Sequence, residues 1–162
     1  MSYESIWLCS NHSVPTLFRI ATSDSSGHIS ILSFEDGQEM RIIDKRKNHD
    51  FEAWICAFDV WNCNVVYSGG DDSKLFLTDL REDSKKRIGV HDAGVTSLLS
   101  DIFHEHWLFS GSYDEKLRLW DTRKTKQPLE THNAEGIFLK LQLKGTFIAG
   151  SRAQELLMLL DG

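Results

Sequence analysis

The sequence has few cysteines, no long apolar run and no secretory signal. Its three cysteines, Cys9, Cys56 and Cys63, are odd in number and lack the CxxC spacing of metal and redox sites. We therefore expect free thiols in a reducing compartment, the cytoplasm or the nucleus. Apolar runs such as Leu156 to Leu160 are far too short to span a bilayer, so no membrane partner is expected. The first residues lack the basic and apolar segments of a secretory signal.

An excess of positive charge is also absent. The formal net charge is -6 and the pI is near 5.6, which argues against nonspecific binding to nucleic acid. Hydrophobic residues make up 41% of the chain, enough for a folded core. His104, Glu105 and His106 resemble metal ligands, but they lack the i, i+4 spacing of a zinc-binding helix. We expect no metal ion and no cofactor.

What the sequence does contain is an internal repeat. His49, His91 and His132 lie 42 and then 41 residues apart. The segments Val66–Arg81 and Leu108–Arg123 follow the first two histidines and share Ser-Gly, Lys-Leu and Asp-x-Arg at the same spacing. The four copies of this segment begin near Ile20, Val66, Leu108 and Phe147. A repeat of this length and pattern is typical of β-propeller blades.

Each copy alternates apolar with other residues on both sides of a polar turn, as strands of a hairpin do. No segment has a helical period, so the predicted fold is all-β: a partial propeller of about three and a half four-stranded blades in one domain, residues 1–162. The predicted blades cover 3–47, 48–90, 91–131 and, incompletely, 132–162. The predicted inner strands are Glu52–Trp61, Val95–Ile102 and Gly136–Leu143. The predicted outer strands are Glu39–Lys45, Lys85–Val90 and Gln127–Thr131, with Pro128 at a solvent-facing edge.

The repeats resemble the WD-repeat family. In that family a hydrogen-bonded tetrad ties each blade: His before the inner strand, Ser or Thr in the second strand, Asp in the next turn and Trp in the third strand. The third blade matches at all four positions, with His91, Ser110, Asp114 and Trp120. The second blade has His49, Ser68 and Asp72, but Thr78 in place of Trp. The fourth blade is interpreted as retaining only His132.

His, Ser and Asp side chains that meet in space are also the members of a hydrolase triad, so a catalytic role has to be considered. A nucleophilic serine, however, needs an exposed oxygen, a base and oxyanion donors around an open site. In this sequence the set recurs in successive blades, where buried polar groups need partners. We therefore predict a structural role for both sets.

The entry to the second blade is unusual, because large and charged residues follow its histidine. In a propeller, the loops that enter the inner strands and the turns between second and third strands lie at the same end. We expect this end to gather Phe51, Glu52, Trp54, Asp71, Asp92, Tyr113 and Arg152. Exposed aromatic residues beside acids suit a surface that binds peptides or proteins. The alternative is that Phe51 and Trp54 pack between blades.

Five segments resemble one WD-repeat family in particular. They are Phe51–Ile55, Val66–Asp72, Gly111–Glu115, Leu119–Arg123 and Lys126–Leu129. The family is that of the diphthine methyl ester hydrolases, also called diphthine methyltransferases, of diphthamide biosynthesis. The resemblance covers about half of the chain, residues 49–129, and the Phe-Glu-Ala-Trp entry is its most selective part.

The resemblance implies a carboxylic methyl ester hydrolase that removes the methyl ester from methylated diphthine on elongation factor 2, the expected protein partner. The sequence contains no recognised catalytic motif for this reaction. From their expected proximity at one end of the propeller, Glu52 is a candidate base, and His49 and His91 are further candidates. The alternative is a noncatalytic WD-repeat scaffold for protein–protein interaction.

Because propellers have four to eight blades, we also expect the chain to be a fragment with bare apolar flanks and marginal stability as a monomer.

Overall fold

The computed structural model describes residues 7–10, 17–35, 39–124, 127–134 and 136. Within these residues, β-strands form three antiparallel four-stranded sheets, so the all-β prediction is confirmed. The first sheet contains β1 (Trp7–Ser10), β2 (Leu17–Ser23), β3 (His28–Glu35) and β4 (Arg41–Lys47). The second contains β5 (Ala53–Phe58), β6 (Val65–Gly70), β7 (Lys74–Asp79) and β8 (Ser84–Val90). The third contains β9 (Val95–Ser100), β10 (Trp107–Ser112), β11 (Lys116–Asp121) and β12 (Glu130–Asn133).

In every sheet the strands follow one another in chain order, as in a propeller blade. The sheets cover residues 7–47, 53–90 and 95–133. Of the fourth predicted blade, only residues up to 134 and Gly136 are among the described residues. The inner strand predicted over Gly136–Leu143 therefore lies almost wholly outside them.

The strand boundaries differ from the predictions for identifiable reasons. Strands β5 and β9 end at Phe58 and Ser100, earlier than predicted, because an aspartate follows each and its carboxylate turns the chain. Asp59 accepts the N–H of Trp61 at 3.2 Å, and Asp101 accepts that of Phe103 at 3.0 Å. The outer strands β4 and β12 begin later than predicted, so Pro128 precedes β12 and does not lie on its edge.

The turn between the second and third strands has the same backbone conformation in all three sheets. Its last residue is left-handed, with φ of 84° at Gly27, 61° at Ser73 and 60° at Glu115. The carbonyl of that residue accepts an N–H from the chain that leaves the outer strand, and the donors are His49, His91 and Ala134, at 3.1, 2.9 and 2.9 Å. This bond fixes which residues are equivalent from one sheet to the next.

The equivalence overturns the interpretation of His132. Ala134 occupies the place of His91, because it makes the same backbone bond to the preceding turn. His132 lies two residues earlier on β12, exposed and paired with Leu117. It is therefore an outer-strand residue and not the histidine of a further tetrad. The spacing of 41 residues matched the repeat length only by coincidence.

The sheets pack against one another through two apolar clusters, and the inner strands β1, β5 and β9 lie side by side. The cluster between the first and second sheets contains Ala21, Ile29, Ile31, Ala53, Cys56, Phe58 and Val66. The cluster between the second and third sheets contains Ala57, Val65, Tyr67, Leu75, Ile88, Val95, Leu98, Leu108 and Trp120. Burial of a large aliphatic or aromatic side chain stabilises the fold by about 1.5–3 kcal/mol, so these clusters hold the sheets together.

The two interfaces between sheets are built differently at equivalent positions. Between the second and third sheets, Trp120 lies on Gly89, and a Cβ there would be 2.2 Å from the indole Cη2. In the first sheet Arg46 takes the place of Gly89, since it pairs with Ile29 as Gly89 pairs with Leu75. Its guanidinium donates to the second sheet, to the carbonyls of Asp79, Leu80 and Glu82. Aromatic packing thus joins the second and third sheets, whereas hydrogen bonds from one arginine join the first and second.

Cys56 and Cys63 differ in their bonding. Cys56 is buried and forms no disulfide, as expected, but Cys63 is in a disulfide. The expectation of free thiols is therefore wrong for Cys63, because spacing along the chain does not reveal which sulfur atoms meet in space. Over the part of the chain that the structure describes, no helix has the length and apolar character needed to cross a membrane.

Candidate functional site

The structure brings together the four tetrad residues of the third sheet. Because a carboxylate can only accept, Nδ1–H of His91 donates to Asp114, at 3.0 Å from Oδ2. The other ring nitrogen, Nε2, then accepts the Ser110 hydroxyl at 2.7 Å. The same hydroxyl oxygen accepts the indole N–H of Trp120 at 2.7 Å. Every polar atom of this buried chain has a partner, which is the condition for a stabilising polar core.

The second sheet forms the same chain with a substitute for the missing tryptophan. His49 contacts Asp72 through Nδ1 at 2.8 Å and Ser68 through Nε2 at 3.0 Å. Thr78 occupies the tryptophan position, and the amide of Asn48 donates to both Ser68, at 3.2 Å, and Thr78, at 2.9 Å. Asn48 was not among the residues predicted from the sequence. The available signal was an amide residue directly before the histidine of a repeat that lacks tryptophan.

These contacts show what the His, Ser and Asp sets do. Burial lowers the pKa of His49 and of His91, and the neighbouring aspartates only partly oppose that effect. Both rings are buried, and both of their nitrogens are bonded inside the sheet. The aspartates extend the tie to the backbone, since Asp114 also accepts the N–H groups of Asp92 and Lys116, each at 3.0 Å. The histidines thus present no ring nitrogen to an external substrate.

Of the residues expected at one end of the propeller, those that the structure describes lie in the entry loops, at the start of β5 or in the turns beside them. Here the entry loops of β5 and β9 meet the turns β6–β7 and β10–β11, and we call this the entry end. Asp71 N–H donates to the Glu52 carbonyl at 2.9 Å, and Tyr113 N–H donates to the Gly94 carbonyl at 3.1 Å. Phe51 is 63% exposed and Tyr113 is 42% exposed. Arg152 lies outside the described residues.

Two alternatives were predicted for Phe51 and Trp54: exposure on a binding surface, or packing between blades. Phe51 follows the first and Trp54 the second. Trp54 packs between the sheets, where a Cβ on Gly94 would lie 2.2 Å from the indole Cζ3. Its ring meets Tyr113 edge to face, with centroids 5.3 Å apart and planes at 84°. Its indole N–H donates to Oε2 of Glu52 at 3.1 Å. Phe51 remains on the surface.

The acidic residues of the entry end are not equivalent. The Asp92 carboxylate accepts a bond from Lys116 at 2.6 Å and one from Arg118 at 3.3 Å. The bond from Lys116, together with the positive charges of Lys116 and Arg118, lowers the pKa of Asp92. Asp71 and Glu52 are both exposed, and the Glu52 carboxylate contacts Trp54.

At the opposite end lies an apolar patch that the sequence analysis did not identify. Its members occupy equivalent places in the loops after β5 and β9: Val60, Trp61, Ile102 and Phe103, which are 49, 50, 48 and 74% exposed. The indole N–H of Trp61 donates to the carbonyl of Asp101 at 2.8 Å and joins the two loops. Next to the patch, His104 bonds Asp101 at 2.7 Å and stacks on Trp107. No group of His, Cys, Asp or Glu among the described residues is arranged to hold a metal ion.

The fold is similar to that of known proteins of one class. No family model matches the chain. A chain in the crystal structure of the mitotic checkpoint complex matches with a TM-score of 0.65 and 17% identity, over 84% of this chain and 41% of that one. At this identity the match concerns the fold alone. With the tetrads and the repeated sheets, it defines a WD-repeat β-propeller protein, a class that generally serves protein–protein interaction.

Within this class the sequence is similar to the diphthine methyltransferases. It is 41% identical over 124 residues to the human diphthine methyltransferase, covering 73% of this chain and 27% of that protein. It is 34% identical over 126 residues to the diphthine methyltransferase of Schizosaccharomyces pombe, covering 76% of this chain and 38% of that protein. Over the matched residues the chain belongs to the diphthine methyltransferase family. It spans between a quarter and two fifths of the length of these two relatives.

Proposed function

We propose that the chain acts in diphthamide biosynthesis, by hydrolysis of the methyl ester of methylated diphthine on elongation factor 2. The observation that carries this proposal is the 41% identity to the human diphthine methyltransferase over most of the chain. The entry end supports it, because aromatic and acidic side chains are exposed there side by side.

The reaction requires water and no redox partner. Water adds to the ester carbonyl carbon and loses a proton to a base, and the tetrahedral oxyanion then collapses as the acyl carbon–oxygen bond breaks. Methoxide leaves, takes up a proton and becomes methanol, while the protein-borne product keeps a free carboxylate. The site must therefore supply a base, a proton donor and an exposed surface that accepts a protein substrate.

Glu52 is our candidate for the base. Its side chain is exposed at the entry end, and the bond from the Trp54 indole at 3.1 Å holds its Oε2 in place. A carboxylate held by one neutral donor can still accept a proton from a water molecule. We do not assign this role to His49 or His91, because their ring nitrogens are bonded within the tetrads.

The test is methanol release from methylated diphthine on purified elongation factor 2. We expect release by the chain and a loss of about 10²- to 10⁴-fold in Glu52→Gln, the usual contribution of a general base. Glu105→Gln is the matched control, because Glu105 is a 61% exposed glutamate at the opposite end. A folded chain that releases no methanol would overturn the esterase proposal. Equal release by the parent and Glu52→Gln would remove Glu52 from the mechanism and leave the proposal standing.

A further inference from the structure

The outer strand β4 forms an open edge of the first sheet. Within the part of the chain that the structure describes, it pairs with β3 on one side and with no strand on the other. Such an edge presents backbone N–H and C=O groups with which an added strand can pair. At this edge Met40, Ile42 and Ile43 are 52, 60 and 46% exposed. A cluster of large apolar side chains in water marks a contact surface.

The charge of β4 is opposite to that of the chain as a whole. The strand has a net charge of +3 in a chain of net charge -6, because four of its seven residues are basic and one is acidic: Arg41, Lys45, Arg46, Lys47 and Asp44. Arg46 bonds Asp44 at 2.8 Å. Neither Arg41 nor Lys47 has a carboxylate oxygen of a described residue within 4.0 Å, and both are exposed. These two cations are therefore available to an acidic partner.

The other two outer strands lack this combination. Strand β8 is also basic, but Lys85 donates to the carbonyl of Asn48 at 2.6 Å and Lys86 to that of Thr122 at 3.2 Å. Its apolar residue Ile88 is buried. Strand β12 contains no lysine, no arginine and no large apolar residue. Among the described outer strands, β4 thus combines an open edge, exposed apolar side chains and unpaired cations.

Neighbouring groups of the second sheet hold β4 in its extended form. The guanidinium of Arg46 donates to the carbonyls of Asp79, Leu80 and Glu82. The ammonium of Lys85 donates to the carbonyl of Lys47, at the end of the strand, at 3.3 Å. An edge that is already extended before a ligand arrives loses little conformational entropy on binding.

We propose that β4 binds an extended segment of a partner protein in which acidic and apolar side chains alternate. The backbone of the segment continues the sheet, its carboxylates pair with Arg41 and Lys47, and its apolar side chains cover the exposed isoleucines. A second copy of the chain fits this edge poorly, because pairing β4 with itself places +3 against +3. The inference goes beyond the proposed function, and its test does not depend on ester hydrolysis.

The probe is a rhodamine-labelled peptide of alternating glutamate and valine, titrated with the full chain and followed by fluorescence anisotropy. We expect a dissociation constant on the order of 100 μM, and weaker binding as salt is added, because the ion pairs are exposed. A copy with proline in place of two valines cannot pair as a strand, and a copy with lysine in place of glutamate has the wrong charge. Hydrogen–deuterium exchange should show that the peptide protects residues 41–47 and leaves residues 130–133, the edge strand β12, unprotected.

Two variants with the same change of charge test the role of β4. Lys47→Glu should weaken binding about fivefold, whereas Lys124→Glu, at an exposed lysine of the third sheet, should bind as the parent does. No binding, equal binding of the three peptides, equal effects of the two variants or protection outside β4 would each overturn the inference. Two further results would also overturn it, because they identify another occupant: tighter binding of oligouridylate at the same salt, or a dimer of the parent that protects residues 41–47 without peptide.

Discussion

Asn48 replaces the missing tryptophan of the second sheet, and its truncation is the sharpest test of the tetrad as a structural element. Asn48→Ala removes the donor that serves Ser68 and Thr78, and all three residues are at most 3% exposed. A buried hydroxyl that loses its partner costs about 1–3 kcal/mol. Ser68 keeps its bond to His49, so the larger part of the loss falls on Thr78. We expect a total of about 2 kcal/mol, or a fall in Tm of roughly 4–8 °C.

The assay is urea unfolding, followed by tryptophan fluorescence and circular dichroism. Asn133→Ala is the control, because Asn133 is an exposed asparagine on β12 and its truncation should change stability by less than about 0.5 kcal/mol. Thr78→Val, alone and combined with Asn48→Ala, completes a double-mutant cycle. Contact at 2.9 Å predicts a coupling energy of about 1 kcal/mol between Asn48 and Thr78. Additive effects, or an Asn48→Ala variant as stable as its parent, would refute the reasoning.

The remaining predictions concern the third sheet and the buried histidines. Ser110→Ala should lower the free energy of unfolding by about 1–3 kcal/mol in urea, because it removes the hydroxyl that pairs with both His91 and Trp120. Methanol release should show no specific loss. Lost activity at unchanged stability would contradict the structural role. Gly89→Ala should cost at least about 1–3 kcal/mol, since its Cβ would lie 2.2 Å from Trp120, and a neutral result would mean that this interface is looser than described. Burial lowers the pKa of His49 and His91, so the unfolded chain binds more protons below about pH 6.5, and stability should fall from pH 7 to pH 5. Equal urea midpoints at these two pH values would count against it.

Much of the fold could be predicted from the sequence because a WD-type blade is specified locally. The Ser-Gly pair, the acidic turn and the alternating leucines lie within one hairpin, and each pattern predicts its own strand or turn. The positions of His91, Ser110, Asp114 and Trp120 follow from spacing in the same way, and the structure joins them by hydrogen bonds. The gathering of the entry loops at one end followed from the alternation of strand direction.

Contacts between neighbouring sheets could not be predicted, because they depend on residues far apart in the chain. Arg46 of the first sheet stands where the second sheet has Gly89, and Thr78 of the second sheet stands where the third has Trp120. These replacements are visible only when the registers of the sheets are compared. The misassignment of His132 has the same origin, since the count of residues along the chain cannot show where an outer strand ends.

The sequence by itself therefore determined the repeat, the all-β class and the polar ties within each blade, because these depend on short-range patterns of burial and hydrogen bonding. The tertiary structure alone decided that Asn48 stands in for a tryptophan, that Trp54 packs against Gly94 and that its ring meets Tyr113 at a right angle. Each of these is a contact between side chains whose partners are brought together only when the sheets pack.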